Sequence, residues 1–191
     1  MRENELLHAH QSGDIVRALV PLDTSPRSQD ALVPAAELVA ALSTPSQGAL
    51  HLAQMVVTKE SATATERDAL LRTAEQNLAS IGQSIREGLV ARFGPDLHPA
   101  LSWSVSPTDD IAEGIVRVAE NGEESREFGK VDACDLIALT THGSGGMYKW
   151  PVGSIAERVL HATSLPILIV RPEDMIAKER TSRGHHTPAA V

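Results

Sequence analysis

The feature that most constrains the fold of this chain is a regular alternation of short aliphatic runs with longer segments of helical periodicity. In the longer segments apolar residues recur every three or four positions, which is the spacing along one face of a helix. The runs, each interpreted as a strand, are 15–23, 49–57, 100–107, 134–141 and 165–170, and the helical segments between them are 25–42, 65–93, 111–120 and 154–162. This alternation predicts a Rossmann-like α/β fold with a five-stranded parallel sheet and helices on both faces.

The composition supports a core of that type. Aromatic residues make up only 3% of the 191 residues, so the core has to be built from Leu, Val, Ile and Ala. The length and the hydrophobic content of 42% suit one domain. We expect an N-terminal arm at 1–14, a single domain at 15–173 and a disordered, basic tail at 174–191. The polar segment Asn121–Lys130 is expected to be an excursion on the surface.

Polar and turn-forming residues mark the expected starts and ends of the helices. Ser25 followed by Pro26 predicts an N-cap and a first helical position, and Pro34 falls early enough in the helix to be tolerated. The cap and acidic residues at Thr108–Asp110 predict the start of the third helix, where the helix dipole favours negative charge. Gly94 and the proline after it predict the end of the second helix.

The charge balance and the cysteine content exclude several classes of partner. Seventeen Lys and Arg residues stand against twenty-five Asp and Glu residues, and the net charge of −8 disfavours binding to nucleic acid. The single cysteine, Cys134, allows no internal disulfide and is expected to be a small core residue. The sequence contains neither an apolar run of membrane-spanning length nor a signal-peptide core. These features predict a cytoplasmic protein with no nucleic-acid or membrane partner.

Two strand ends carry polar residues where a ligand would be expected. Parallel α/β sheets bind ligands at the carboxyl ends of strands, at the point where the strand order reverses. Asp23 ends the first strand, and the residues Thr-Thr-His-Gly at 140–143 end the fourth. The Asp23 carboxylate could accept hydrogen bonds from sugar hydroxyls, or it could serve only as an acceptor in the turn before the next helix. The sequence leaves both roles open.

Glycines surround the start of the last helix. Gly143 and Gly153 are separated by nine residues, and because they lack side chains both let the backbone approach a bulky anion. Ser154 lies at the start of that helix, whose N–H groups and dipole suit a phosphate. The same Ser154, three residues before Glu157, also fits a capping box, and the two roles are compatible. Neither the Walker phosphate loop nor the Gly-x-Gly-x-x-Gly dinucleotide pattern is present.

The stretch HGSGGMYKWPVGSIAERVL, at 142–160, resembles the carboxyl-terminal signature of the universal stress protein family. Nucleotide-binding members of that family carry Gly, two residues, Gly, nine residues, and then Gly-Ser or Gly-Thr. This chain has Thr140, two residues, Gly143, nine residues and Gly153-Ser154, so the first glycine of the signature is replaced. The segments VPLDTS at 20–25 and SVSPTDDIAEGIV at 104–116 resemble the family's first strand with its turn and its third strand with the following helix start.

The resemblance implies a fold, a ligand and an assembly. It implies the sheet order 3-2-1-4-5 and a regulatory role in the stress response, with ATP, alone or with Mg²⁺, or a related adenine nucleotide as the ligand. It also implies a homodimer that pairs the last strand across a two-fold axis. The nucleotide contacts would fall on Pro21, Asp23, Met55, Thr140, His142, Gly143, Gly153, Ser154 and Ile155. The branched side chain of Thr140 would stand beside the nucleotide path.

Two other functions stay open. The chain could be a family member that binds no nucleotide and acts as a dimer through protein–protein interaction, or it could be a slow ATPase. No Ser-His-Asp order, acid pair or metal-ligand spacing suggests an enzyme, and no general base is identifiable. His8 with His10, or His185 with His186, could share a metal ion, but all four lie in the expected arm and tail.

Overall fold

Strands and helices alternate along the chain. The structure is a computed structural model, and it describes residues 15–23, 25–44, 47–58, 63–94, 98–141 and 154–171. The elements are β1 (Val16–Pro21), a 3-10 turn (Pro26–Ala31), α1 (Leu32–Leu42), β2 (Gly48–Val57), α2 (Ala64–Phe93), β3 (Ala100–Thr108), α3 (Ile111–Asn121), β4 (Glu123–Ser125), β5 (Gly129–Val131), β6 (Leu136–Thr140), α4 (Ser154–Ala162) and β7 (Ile167–Val170). Within the described ranges, no helix is both long enough and apolar enough to cross a membrane.

The five longer strands form one parallel sheet in the order β3-β2-β1-β6-β7. Since β6 and β7 are the fourth and fifth strands of the sequence prediction, both the α/β fold and the order 3-2-1-4-5 are confirmed. β1 is the central strand, with β2 on one side and β6 on the other. The chain runs outward from β1 through β2 to β3 and then crosses back to β6, so the strand order reverses between β1 and β6.

Two helices cover each face of the sheet. Alternate residues of a strand point to opposite faces, and those of β1 separate accordingly. Ala18 and Val20 belong to an apolar cluster with α1 and α2, whereas Leu19 belongs to a second cluster with α3 and α4. Both clusters are mostly aliphatic, as the composition predicts. Cys134 is buried in the second cluster, which confirms it as a core residue.

Trp103 of β3 anchors α2 to the sheet. Its ring lies against Gly82 of α2, where an added Cβ atom would come within 2.5 Å of the ring. Phe128 meets the Trp103 ring edge-on, with the ring centroids 4.6 Å apart. The Arg86 guanidinium lies 5.2 Å from the ring centroid. The helix can therefore approach β3 this closely only because Gly82 has no side chain.

One predicted helix cap is confirmed and another is wrong in part. Asp110 caps α3, and its side chain accepts a hydrogen bond from the N–H of Glu113 at 3.0 Å. Ser25 precedes a 3-10 turn rather than an α-helix and makes no side-chain cap hydrogen bond, because its hydroxyl donates to Asp23 instead. Since α1 begins only after this turn, Pro34 lies in the first turn of α1, where it has no intrahelical N–H bond to lose.

The expectation of a surface excursion at Asn121–Lys130 is also wrong in part. The residues that follow α3 form the antiparallel hairpin β4–β5. It is joined to α3 by Gly122, whose φ is 68°, and an added Cβ atom there would lie 2.1 Å from the carbonyl oxygen of Val131. The position therefore requires glycine. The hairpin packs against β3, where the buried Ser125 hydroxyl donates to the Trp103 carbonyl at 2.8 Å.

Candidate functional site

The carboxyl ends of β1 and β6 lie next to each other where the strand order reverses. The two strands pair at Leu19↔Ile137, and beyond that point no pair joins the parts of them that the structure describes. β1 continues to Pro21 and β6 to Thr140. The strand order reverses between these strands, and the carboxyl edge at such a point is the position at which α/β sheets bind ligands.

Asp23 follows β1 at this edge, and its carboxylate organises the turn. Oδ1 accepts hydrogen bonds from the N–H of Ser25 at 2.8 Å and from the Ser25 hydroxyl at 2.5 Å. The Ser28 hydroxyl accepts from the Asp23 N–H at 3.3 Å and donates to the Ser25 carbonyl at 2.8 Å. The role of turn acceptor, which the sequence left open, is thus present. The same bonds hold the carboxylate in one orientation at the end of the strand.

Met55 of β2 lies beside the same edge, two residues beyond the Pro21↔Ala53 pair. Its half-buried side chain packs on the face of the sheet that α3 and α4 cover. Gly114 of α3 makes room for it, because an added Cβ atom there would lie 2.8 Å from the Met55 Sδ and 3.0 Å from the Thr108 Oγ1. The position of Met55 therefore depends on how closely α3 approaches β2.

Thr140 ends β6, where it pairs with Val170 of β7. Ala138 packs with α1 and α2, and Leu139 packs with α3 and α4. By alternation, the half-buried side chain of Thr140 lies on the α1 face. Met55 and Thr140 are thus on opposite faces of the sheet. A ligand that contacted both would have to lie over the strand ends rather than against one face.

The start of α4 is held at the carboxyl edge. Arg158 donates to Oδ2 of Asp110 at 2.5 Å, and Asp110 caps α3 shortly after the end of β3. Ser154, the first residue of α4, is exposed, and Ile155 is half-buried against the α3 and α4 cluster. Because the N–H groups in the first turn of a helix have no intrahelical partner, this start offers hydrogen-bond donors to an anion.

The predicted capping box at that start is wrong in its register. A capping box needs Ser154 to precede the helix and Glu157 to be its third residue. Ser154 is already the first residue of α4, and Glu157 is therefore the fourth. Gly153, the residue before the helix, lies outside the described residues. The predicted contacts His142 and Gly143 lie outside them as well.

The helices α3 and α4 are tied to each other at both ends. At the carboxyl edge, the N–H of Glu113 and the Arg158 guanidinium hold the pKa of Asp110 below its usual range. At the other end, Oε1 of Glu120 accepts from the Thr163 hydroxyl at 2.8 Å. These two ties set the direction in which the start of α4 points.

Sequence reasoning missed a second group of polar side chains. His51 of β2 is fully buried, and its Nδ1 and Nε2 lie 2.9 Å and 2.8 Å from the hydroxyls of Ser102 and Ser104. The hydroxyls of Ser104 and Ser106 donate to the two carboxylate oxygens of Glu123 in the hairpin. The available signal was the run SWSVS at 102–106, which places serines at alternate positions of a strand and hence on one face.

This group is not arranged for nucleophilic catalysis. In a catalytic triad the nucleophile and the acid contact different nitrogens of the histidine ring. Here Ser104 and Glu123 both lie at Nε2 of His51, at 2.8 Å and 3.5 Å. His51 and Ser104 are also buried, so no substrate can reach them in this conformation.

The described ranges contain no group of three His, Cys, Asp or Glu side chains that could hold a metal ion. The histidine pairs at 8 and 10 and at 185 and 186 lie outside those ranges. Burial raises the pKa of the Cys134 thiol to about 12, so the thiol stays protonated at neutral pH. A protonated, buried thiol is a poor nucleophile and a poor metal ligand.

Comparison with known proteins gives the family. The model of the universal stress protein family matches residues 16–171. A universal stress protein of Methanocaldococcus jannaschii is 32% identical over 72 residues. That alignment covers 38% of this chain and 39% of the relative, so the chain matches less than half of the relative's length.

Solved structures share the fold. UspA from Lactobacillus plantarum aligns with a TM-score of 0.56 at 21% identity, over 83% of this chain and 99% of that chain. A universal stress protein family member from Burkholderia pseudomallei aligns with a TM-score of 0.52 at 23% identity, over 84% of this chain and 98% of that chain. Because the family model extends from the first residue of β1 to the residue after β7, this chain belongs to the universal stress protein family.

Proposed function

We propose that the chain is a cytoplasmic stress-response regulator that binds ATP or a related adenine nucleotide over the carboxyl ends of β1 and β6. The observation that carries the proposal is that an oriented carboxylate and a helix start lie at the carboxyl edge of the sheet, where the strand order reverses between β1 and β6. The proposed contacts are Pro21, Asp23, Met55, Thr140, His142, Gly143, Gly153, Ser154 and Ile155.

The two ends of a nucleotide require different partners, and this edge supplies both kinds. Ribose hydroxyls donate to a carboxylate, and Ser25 holds the carboxylate of Asp23 in place. Phosphate oxygens accept from N–H groups at a helix start, such as those of Ser154 and Ile155. The described residues contain no group of metal ligands, so any Mg²⁺ would be held mainly by the nucleotide phosphates.

Calorimetry on an isosteric variant tests the role of Asp23. In Asp23→Asn, the amide keeps an oxygen for the bonds from Ser25 but loses the negative charge. We expect unchanged thermal stability and ATP binding at least about tenfold weaker, or about 1.4 kcal/mol. Asp109→Asn is the matched control, because Asp109 is an exposed acid at the same edge, after β3. It should bind ATP as the parent does.

The possible results distinguish a failure of the Asp23 contact from a failure of nucleotide binding as a whole. If Asp23→Asn binds ATP as tightly as the parent, Asp23 serves the turn only and the ribose contact is wrong. If the parent gives no heat with ATP or AMP, with or without Mg²⁺, and mass spectrometry finds no nucleotide released from the purified protein, nucleotide binding is wrong altogether.

A second candidate function, action as a dimer without nucleotide, is favoured by the exposure of β7. All four residues of this edge strand are apolar, and all are only half-buried. Leu160, on the α4 helix that leads into β7, is 48% exposed. Among the described strands only β6 pairs with β7, and an apolar sheet edge of this kind is suited to pairing with a second chain.

A further inference from the structure

A buried carboxylate holds the β4–β5 hairpin against β3. Both oxygens of Glu123 accept hydrogen bonds, Oε1 from Ser104 and Oε2 from Ser106. The Glu123 side chain is only 8% exposed. Burial of a charge is unfavourable unless the charge is paired and hydrogen-bonded, so these bonds are what allow Glu123 to lie here. We refer to Glu123, His51, Ser102, Ser104 and Ser106 as the hairpin lock.

The negative charge of Glu123 fixes the direction of the hydrogen bonds around Ser104. An ionised carboxylate can only accept, so the Ser104 hydroxyl donates to Glu123 and has to accept from Nε2–H of His51. On the other side of the ring, Nδ1 of His51 lies 2.9 Å from the Ser102 hydroxyl. Protonation of Glu123 would remove the acceptor on which this order depends.

The charged and titratable groups around Glu123 come from several elements. His51 of β2 lies 3.5 Å from Oε1, and Arg117 of α3 donates to the Ser106 hydroxyl at 3.2 Å. On the hairpin itself, Glu124 is paired across the strands with Lys130, and both are exposed. Arg126 in the hairpin turn pairs with Glu75 of α2 at 3.0 Å. Glu123 also acts on the Cys134 thiol, as do Arg17 of β1 and Asp135 before β6.

The hydrogen bonds determine how Glu123 responds to pH. Burial alone would raise the pKa of Glu123, but the hydrogen bonds from His51, Ser104 and Ser106 outweigh it and hold the pKa below its usual range. A carboxyl group with a lowered folded-state pKa stabilises the fold above its unfolded pKa, and this contribution is lost as the pH falls through the folded value. The unfolded pKa of Glu is about 4.3, so the loss occurs below that pH.

We propose that the β4–β5 hairpin is an acid-released cover on the edge of the sheet. When Glu123 takes up a proton, the hairpin lock opens, the hairpin leaves β3, and the β3 edge becomes exposed while the rest of the sheet stays folded. The packing supports a local opening, because the hairpin contributes only two apolar side chains to the interior: Val131, which is 5% exposed, and Phe128, at the rim of one apolar cluster.

Trp103 reports the release directly. Phe128, in the hairpin turn, contacts the Trp103 ring edge-on at a centroid distance of 4.6 Å, and this contact is lost when the hairpin leaves. The sequence has two tryptophans, Trp103 and Trp150. In a Trp150→Phe background the fluorescence therefore comes from Trp103 alone.

The test is an acid titration of that parent, followed by Trp103 fluorescence and by far-ultraviolet circular dichroism. We expect the fluorescence to change with a midpoint below about pH 4.3, while the circular dichroism is still native. Glu123→Gln removes the titrating group, so its fluorescence transition should coincide with its global unfolding. Glu124→Gln removes the exposed neighbouring carboxylate instead, and it should titrate like the parent.

Coincident fluorescence and circular dichroism transitions in the parent would overturn the proposal, as would a separate fluorescence transition that survives in Glu123→Gln. If Glu123→Gln does not fold, Ser106→Ala serves in its place. It removes one donor to the carboxylate, so the fluorescence midpoint should rise. An unchanged midpoint in a folded Ser106→Ala variant would also overturn the proposal.

Discussion

At the scale of single residues, we expect Thr140 to limit the room for a nucleotide over the ends of β1 and β6. Its side chain is half-buried on the α1 face, at the carboxyl end of β6. It stands where the family signature has a glycine. The branched β-carbon therefore occupies space that a nucleotide would share, and we expect the parent to bind ATP weakly.

Two substitutions at Thr140 separate the effect of volume from that of the hydroxyl. Thr140→Gly should tighten ATP binding by up to about tenfold, because it removes the whole side chain from the nucleotide path. It should also lower the free energy of unfolding by about 0.5–1 kcal/mol, because glycine weakens a strand. Thr140→Ser keeps the hydroxyl and should bind with intermediate affinity. Calorimetry that finds all three proteins equal would show that Thr140 does not limit binding.

At this scale the sequence identifies candidate functional residues better than it predicts their hydrogen-bond partners. The carboxylate at the end of β1 was visible as Asp23, but its bonds to Ser25 were not, because the same Ser25 also fitted a helix cap. Likewise Ser154 fitted a capping box, and only the position of the helix start shows that it is the first helical residue. Short polar residues have several local partners within reach, and the backbone conformation selects among them.

At the scale of elements, the contact between α2 and β3 depends on one of two glycines in the same helix. An added Cβ atom at Gly82 would lie 2.5 Å from the buried Trp103 ring, whereas at Gly88 it would meet nothing within 4 Å. The two positions thus form a matched pair, with the same residue type and the same helix but opposite surroundings.

Alanine at these two positions should change stability in opposite directions. Gly82→Ala should lower the free energy of unfolding by about 1–3 kcal/mol, because it overpacks the contact with Trp103. Gly88→Ala should raise it by about 0.5–1 kcal/mol, because alanine is the better helix former. Urea denaturation measures both. A stabilised Gly82→Ala variant would mean that α2 can move away from β3 at little cost.

The elements that the sequence predicted are those whose hydrophobic pattern matches their burial. The aliphatic runs of β1 and β6 are buried between helices, and periodicity was sufficient to find them. The β4–β5 hairpin was missed because the inward residues of β4, Glu123 and Ser125, are polar and are buried by hydrogen bonding rather than by apolar contact. Polar residues are usually exposed, but these two are buried because they hydrogen-bond to Ser106 and to the Trp103 carbonyl of β3.

At the scale of the whole molecule, the order of the strands could not be derived from periodicity. Alternation of strands and helices requires only that the sheet be parallel, and the order 3-2-1-4-5 came from the family resemblance. The two edges of this sheet differ. β3 is covered by the hairpin through Ser125, whereas β7 is apolar and half-exposed along its length.

We expect the chain to form a homodimer through β7. Ile169→Lys places a charge in this half-buried strand, and light scattering should show a monomer where the parent is a dimer. Leu70→Lys is the control, because Leu70 is 53% exposed on α2, on the far side of the sheet from β7. It should stay dimeric. A parent that is monomeric at micromolar concentration, or an Ile169→Lys variant that is folded and still dimeric, would contradict this assembly.

The cover over β3 also sets how far any such assembly can grow. A sheet with two available edges can add molecules at both and extend without limit, whereas a sheet with one available edge has a valence of one and stops at a pair. The hydrogen bond from Ser125 to the Trp103 carbonyl holds the hairpin beside β3, so that within the described part of the chain β7 is the more open of the two sheet edges. Loss of the hairpin would raise the valence to two, and a discrete pair would then become the repeating unit of a fibre.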